Sequence, residues 1–169
     1  ALALSSSSSD KLLLGRANND LGNLLMLKGR YADALKYLQS AAVFFEDLND
    51  AIGMAKVYGN LGDVFFRQGE YEKAKDYFKE SLEIGQETNR VGSNFGIVSN
   101  LGLALMNQGK YDEAISNMKP YLEQCERVGN KLGIANISIY LGIVYFEKGA
   151  NEEAMECYQK GLKQCEDLG

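Results

Sequence analysis

The sequence predicts an all-α fold, an α-solenoid of four helix–turn–helix repeats, and three observations carry that expectation. The first is a gapless period of 40 residues: Leu21-Gly22, Leu61-Gly62, Leu101-Gly102 and Leu141-Gly142 stand in strict register. The second is a further set of glycines seven residues on, Gly29, Gly69, Gly109 and Gly149, each followed by an alanine at Ala34, Ala74, Ala114 and Ala154. Tyr31, Tyr71 and Tyr111 share one place between them, with Asn151 as the fourth occupant. The third is the scarcity of helix breakers of the other kind, since Pro120 is the only proline. A fixed period of this length belongs to repeat architectures, in which each unit buries its apolar face against its neighbours.

The elements follow in order. In the second unit Ile52, Ala55, Val57, Leu61, Val64 and Phe65 recur at helical spacing until Gly69 ends the pattern. Tyr71, Ala74, Tyr77, Phe78, Leu82 and Ile84 give the next amphipathic face. The helices are therefore expected over 52–68 and 71–88, joined by a turn at Gly69-Glu70 too short for anything but antiparallel neighbours. The same register places pairs at 12–28/31–48, 92–108/111–128 and 132–148/151–168, each helix roughly 25 Å long. One array spans 1–169, with repeats at 12–50, 51–90, 91–130 and 131–169 and residues 1–11 as a linker or the end of a preceding helix. Ala1 to Leu4 aligns with the later part of such a helix, so a longer array is expected. The run Ser5 to Ser9 has linker composition and carries no function.

The glycines divide into two roles. Gly22, Gly62, Gly102 and Gly142 fall in the middle of first helices, where each costs about 1 kcal/mol relative to alanine. A cost repeated four times implies a repeated gain, taken here as close approach of the partner helix near the recurring alanine. Gly29, Gly69, Gly109 and Gly149 end their helices in a left-handed conformation. Pro120 falls about ten residues into a second helix, where it lacks an N–H and crowds the Ser116 carbonyl; a kink or an early end is expected there.

Leu21-Gly22, Gly29, Tyr31, Ala34 and Leu38, with their equivalents, resemble the tetratricopeptide repeat (TPR). The second unit matches best, through Leu61-Gly62, Phe65, Gly69, Tyr71, Ala74 and Phe78. Gly53-Met54-Ala55 before Asn60-Leu61-Gly62, and Gly133-Ile134-Ala135 before Leu141-Gly142, are similar to the long Leu-Gly-Asn subtype, although only Leu21-Gly22-Asn23 has the full tripeptide. The resemblance implies a right-handed α-α superhelix of TPR-like repeats whose first helices line a concave groove. It also implies a non-catalytic scaffold that binds a protein or peptide segment.

Composition agrees with binding over chemistry. The chain has no histidine, which removes the commonest general base and zinc ligand. It has no Walker A loop, no Gly-x-Gly-x-x-Gly and no Gly-x-Ser-x-Gly elbow, so no enzyme, cofactor or metal site is expected. Glu152-Glu153 and Glu70/Glu72 suit helix N-termini and need no chemical role. A net charge of −5 disfavours nucleic acid. No apolar run suffices to insert in a membrane, and no secretory signal pattern opens the sequence. Asn136-Ile137-Ser138 is a sequon inside a predicted helix and is set aside. Cys125, Cys157 and Cys165 form no Cys-x-x-Cys, and Cys157 and Cys165 would lie about 12 Å apart on one helix. They are expected as reduced, buried residues of a cytoplasmic protein.

The groove positions implied by the resemblance run along each first helix. Six residues before the repeat glycine stand Arg16, Lys56, Gly96 and Asn136; three before it Asn19, Gly59, Ser99 and Ile139; two before it Asp20, Asn60, Asn100 and Tyr140. After it come Asn23, Asp63, Leu103 and Ile143, then Met26, Phe66, Met106 and Phe146, then Leu27, Arg67, Asn107 and Glu147. The expected peptide-binding set is Arg16, Asn19, Asn23, Lys56, Asn60, Asp63, Phe66, Arg67, Asn100, Leu103, Met106 and Tyr140. Asn60 and Asn100 suit a peptide main chain or, alternatively, a bond between repeats. Arg16, Lys56 and Arg67 suit acidic groups or a terminal carboxylate, and the Met/Phe stripe suits apolar anchors. Asn23 and Asn60 match two places of the carboxylate clamp of chaperone-binding TPRs, but Asn19, Gly96 and Asn100 replace its basic residues. Chaperone tails are therefore not the expected ligand. The alternative to a scaffold is a self-associating module, because Ile139, Ile143 and Phe146 of the last repeat are expected to be partly bare.

Overall fold

In the computed structural model, residues 7–87 and 94–167 are described, and among them every regular element is an α-helix: α1 Ser8–Leu27, α2 Tyr31–Asp47, α3 Ala51–Arg67, α4 Tyr71–Glu87, α5 Phe95–Asn107, α6 Tyr111–Val128, α7 Lys131–Lys148 and α8 Asn151–Glu166. Two compact units divide the chain, one to Ile84 and one from Gly85. The aligned stretch Ala1–Leu4 lies outside the described residues.

The repeated turn works as its chemistry predicts. Gly29, Gly69, Gly109 and Gly149 have φ of 74°, 78°, 74° and 84°. At each, the glycine N–H and the next N–H donate back to two carbonyls of the last turn: Gly69 to Phe66 at 3.0 Å and Glu70 to Phe65 at 2.9 Å. These bonds satisfy carbonyls that the helix end would otherwise leave without partners. α2 ends the same way on Asn49, at φ 51°. The next helices start on side-chain caps, Asp50 accepting from Gly53 N–H and Asn130 from Gly133 N–H, both at 3.0 Å.

α5 begins at Phe95, three residues later than expected, and two other helix ends also differ. α1 begins at Ser8, four residues early, because Ser7 accepts from the Asp10 N–H at 3.2 Å while Asp10 accepts from the Ser7 N–H at 3.1 Å. This reciprocal cap gives part of the serine run a structural purpose. α6 continues past Pro120 to Val128, so the expected early end does not occur; packing of its buried Met118, Leu122 and Cys125 outweighs one missing hydrogen bond.

In the first unit, Leu25, Met26, Ala34, Leu38, Ala41, Phe45, Val57, Leu61 and Val64 form the core. The mid-helix glycines are there for close approach of the partner helix, at Gly22 to the Ala34 carbonyl at 3.3 Å and more closely still to a large side chain. A Cβ on Gly22 would stand 2.7 Å from Leu38 and one on Gly62 2.5 Å from Phe78, side chains four residues beyond the recurring alanine. In the second unit Gly102 meets Met118 and Gly142 meets Tyr158, at 2.6 Å in the latter case. The alanine is small because the backbones are close; the large residue one turn later fills the space over the glycine.

A second glycine contact was not foreseen. Phe45 of α2 wedges against Gly53 of α3, and Cys125 of α6 occupies the equivalent place against Gly133 of α7. Cys125 is accordingly buried, whereas Cys157 is half-buried and Cys165 exposed, so the expectation of three buried thiols holds for Cys125 alone. Exposed ion pairs tie elements together at their rims, Lys11–Asp47 in the first unit and Lys148–Asp112 and Lys160–Glu126 in the second. Pairs so exposed contribute little, about 0–1 kcal/mol each.

Candidate functional site

Along α3, Lys56, Asn60, Asp63 and Arg67 follow i, i+4, i+7, i+11 spacing, which sets them on one stripe. Arg16, Asp20, Asn23 and Leu27 form the equivalent stripe of α1. The stripes are in contact: Asn60 Nδ2 donates to Asn19 Oδ1 at 2.8 Å, and Asn19 Nδ2 donates to Asp20 Oδ1 at 3.3 Å. Asn60 thus makes the inter-repeat bond that its sequence position allowed, and keeps its carbonyl oxygen and one N–H for other partners.

Three exposed cations stand on the same two stripes. Arg16, Lys56 and Arg67 form no ion pair among the described residues. Phe66 is half-buried, its ring edge-on to Tyr71 at 5.5 Å. Asn23 and Asp63 are half-buried beside it on their stripes. Met26, by contrast, is buried in the core, so the expected Met/Phe stripe is interrupted at its first member: the position four after the glycine turns toward the interior in α1.

In the second unit the stripes of α5 and α7 carry Gly96, Asn100, Leu103 and Asn107, then Asn136, Tyr140, Ile143 and Glu147. Asn100, Leu103, Met106 and Tyr140 are all half-buried, and Phe146 is exposed. Ser99 Oγ donates to Asn136 Oδ1 at 2.7 Å, joining α5 to α7 much as Asn60 joins α3 to α1. The place three before the glycine supplies both bonds, through Asn19 and Ser99; Gly59 is buried, and Ile139 packs over Gly161 of α8.

One cluster escaped sequence reasoning as a site. Tyr58 and Phe65 of α3 and Tyr77 of α4 gather on a different side of α3. The available signal was the seven-residue spacing of Tyr58 and Phe65, but Phe65 was counted on the apolar face and Tyr58 was not singled out. No described helix is long and apolar enough to cross a membrane, and no group of acids and cysteines among the described residues could hold a metal ion.

Comparisons with known proteins bear on the family and the fold. The family model of the tetratricopeptide repeat matches residues 13–87 and 95–167. No curated protein sequence gives a match. Among solved structures, the chain is similar to BtubC (BKLC) from P. vanneervenii, at 20% identity and a TM-score of 0.82 over 99% of this chain and 68% of that one. It is similar to aspartyl phosphate phosphatase F from Bacillus subtilis, at 15% identity and 0.86 over 95% of this chain. There it spans only 42% of the longer protein. MamA aligns at 23% identity and 0.65, over 98% of this chain and 82% of its own. At these identities the likeness concerns the fold, an all-α helical repeat of the solenoid class.

Proposed function

Since the chain belongs to the tetratricopeptide repeat family, whose members generally serve as protein–protein interaction scaffolds, we propose that it is a non-catalytic scaffold binding a peptide or protein segment along its first helices. The observation that carries this reading is the α1/α3 face, where Arg16, Lys56 and Arg67 stand on the two stripes joined by the Asn19–Asn60 bond, with no ion-pair partner of their own among the described residues. Unpaired cations beside side-chain amides suit a segment with acidic side chains or a terminal carboxylate, held by charge and by its main chain. In the second unit, taken by itself, half-buried Leu103, Met106 and Tyr140 on the first helices suit apolar anchors of a bound segment. A cytoplasmic setting fits three unpaired thiols.

Affinity capture with the parent chain, an Asn60→Ala/Asn100→Ala variant and an Arg16→Glu/Lys56→Glu/Arg67→Glu variant tests the reading. Circular dichroism serves as the folding control. Proteins retained by the parent and lost from the folded variants are ligands of these faces. An identical catch from all three would refute the assignment.

A second reading rests on a separate observation. On α8, Met155 and Leu162 are 60% and 59% exposed, whereas Leu82 and Leu122, which hold the place of Leu162 in earlier repeats, are 5% and 8% exposed. Exposed apolar side chains of this kind on α8 suit contact with a second copy. Sedimentation equilibrium showing a monomer over a wide concentration range would exclude self-association.

A further inference from the structure

Tyr58 and Phe65 stand about 20° apart around α3 and about 140–160° from Asn60 and Asp63, so they face away from the proposed peptide-binding stripe. Phe65 stacks on Tyr77 of α4, with planes 2° apart and centroids 5.4 Å apart. Tyr58 lies 6.0 Å from Tyr77 at a tilt. All three rings are half-buried. Phe65 and Tyr77 wall an open pocket of about 380 Å³ whose remaining lining is Lys73, Asp76 and Glu80.

The charges of this pocket are unbalanced. Lys73 sits 5.2 Å above the Phe65 ring, but its charge is taken by Glu70. Glu80 has no ion-pair partner among the described residues, and Asp76 lies 3.7 Å from Lys75. Burial, and then the negative fields of Glu80 and Glu46, push the Tyr58 hydroxyl above its ordinary pKa. Aromatic faces with carboxylates at the rim attract cations. An apolar occupant would bury those carboxylates without partners, which is costly. The Lys73 ammonium already shows a cation resting on this ring system.

We propose that this pocket docks an arginine side chain of a partner protein, the guanidinium lying against the Phe65–Tyr77 pair and donating to Glu80 and Asp76. A planar, weakly hydrated cation with five donors can stack on rings and bind two carboxylates at once; a lysine ammonium can do only one of these well. The site is independent of the peptide-binding face, so either can fail without the other.

The test uses three capped tripeptides, Gly-Arg-Gly, Gly-Lys-Gly and Gly-citrulline-Gly, titrated into the chain while the aromatic ring signals of Phe65, Tyr77 and Tyr58 are followed by NMR. Citrulline keeps the shape of arginine without its charge. The arginine peptide is expected to shift these rings saturably, the lysine peptide to bind more weakly, and the citrulline peptide to leave them unmoved. Asp76→Asn/Glu80→Gln changes only exposed groups and is expected to weaken the arginine peptide about tenfold. Asn60→Ala is expected to leave it unchanged. Absent ring shifts, equal binding of citrulline or lysine, or full binding by the Asp76→Asn/Glu80→Gln variant would each overturn the proposal.

Discussion

Gly62 lies in the middle of α3 with the Phe78 ring of α4 pressed over it. A Cβ there would stand 2.5 Å from both Cδ1 and Cε1 of that ring and 3.1 Å from Cζ. Carbon atoms pack at about 3.5–4.0 Å, so roughly 1 Å of separation must be created. Phe78 is wholly buried and cannot swing into solvent to supply it. Alanine at Gly62 gains about 1 kcal/mol of helix propensity and meets an overpacking cost of about 1–3 kcal/mol. The net destabilisation expected for Gly62→Ala is therefore about 0–2 kcal/mol. Leucine adds three more carbons and is expected to cost about 3 kcal/mol or more. For a chain of this size that lowers the melting temperature by about 6–12 °C.

Gly96 of α5 provides the control, because a Cβ there meets nothing within 4 Å. Gly96→Ala is expected to raise the melting temperature modestly. Thermal unfolding followed by circular dichroism measures both substitutions. A cycle with Phe78→Leu then isolates the contact: shrinking the ring should relieve Gly62→Ala, with a coupling of about 0.5–3 kcal/mol. The packing reasoning is refuted if Gly62→Leu melts with the parent, if Gly62→Ala gains as much as Gly96→Ala, or if the cycle is additive.

Three further outcomes are expected. Pro120 is exposed within the continuous helix α6 and leaves the Ser116 carbonyl without its helical N–H, so Pro120→Ala should stabilise by about 1–3 kcal/mol; a lower urea midpoint would contradict this. Asp33 accepts from Arg30 at 2.9 and 2.6 Å, and this hydrogen bond, then the Arg30 charge, holds its carboxyl below the ordinary 3.8. A lowered folded pKa means that the pair's stabilisation is present above 3.8 and is lost as pH falls through the folded value. Arg30→Gln should return the Asp33 carboxyl titration, followed by carbon NMR, to its ordinary range, and an unmoved titration would refute the pairing. Cys165 is exposed, whereas burial pushes the Cys125 and Cys157 thiols up. A thiol reagent at neutral pH should show one fast phase that Cys165→Ser removes, with Cys125 reacting only on unfolding; fast reaction at Cys125 in the folded chain would contradict its burial.

The sequence by itself determined whatever depends on neighbours along the chain. The turns at Gly29, Gly69, Gly109 and Gly149 were legible because a left-handed residue between two amphipathic runs is a local requirement that glycine meets without a Cβ penalty. Their recurrence at one period gave the repeats, and with them the stripes of Arg16, Asn23, Lys56, Asn60 and Arg67 on first helices. The start of α1 was misplaced because Ser7 and Asp10 cap each other ahead of the first apolar residue, outside the periodic signal.

Contacts between helices were decided by tertiary structure, since periodicity gives the face of a helix but not the residue it meets. Hence Gly62 was recognised as a close approach while Phe78, not Ala74, proved to be its partner. Met26 and Phe66 share a repeat position, yet one is core and the other half-exposed. Asn60 admitted two uses, and only the placement of Asn19 on α1 shows the bond that it makes. The Phe65–Tyr77 pocket required α3 and α4 to come together, because its rings and carboxylates lie on separate helices. Local conformation follows from sequence-near atoms; burial and pairing follow from which helix packs where, and that is set by the sum of many side-chain fits rather than by any one motif.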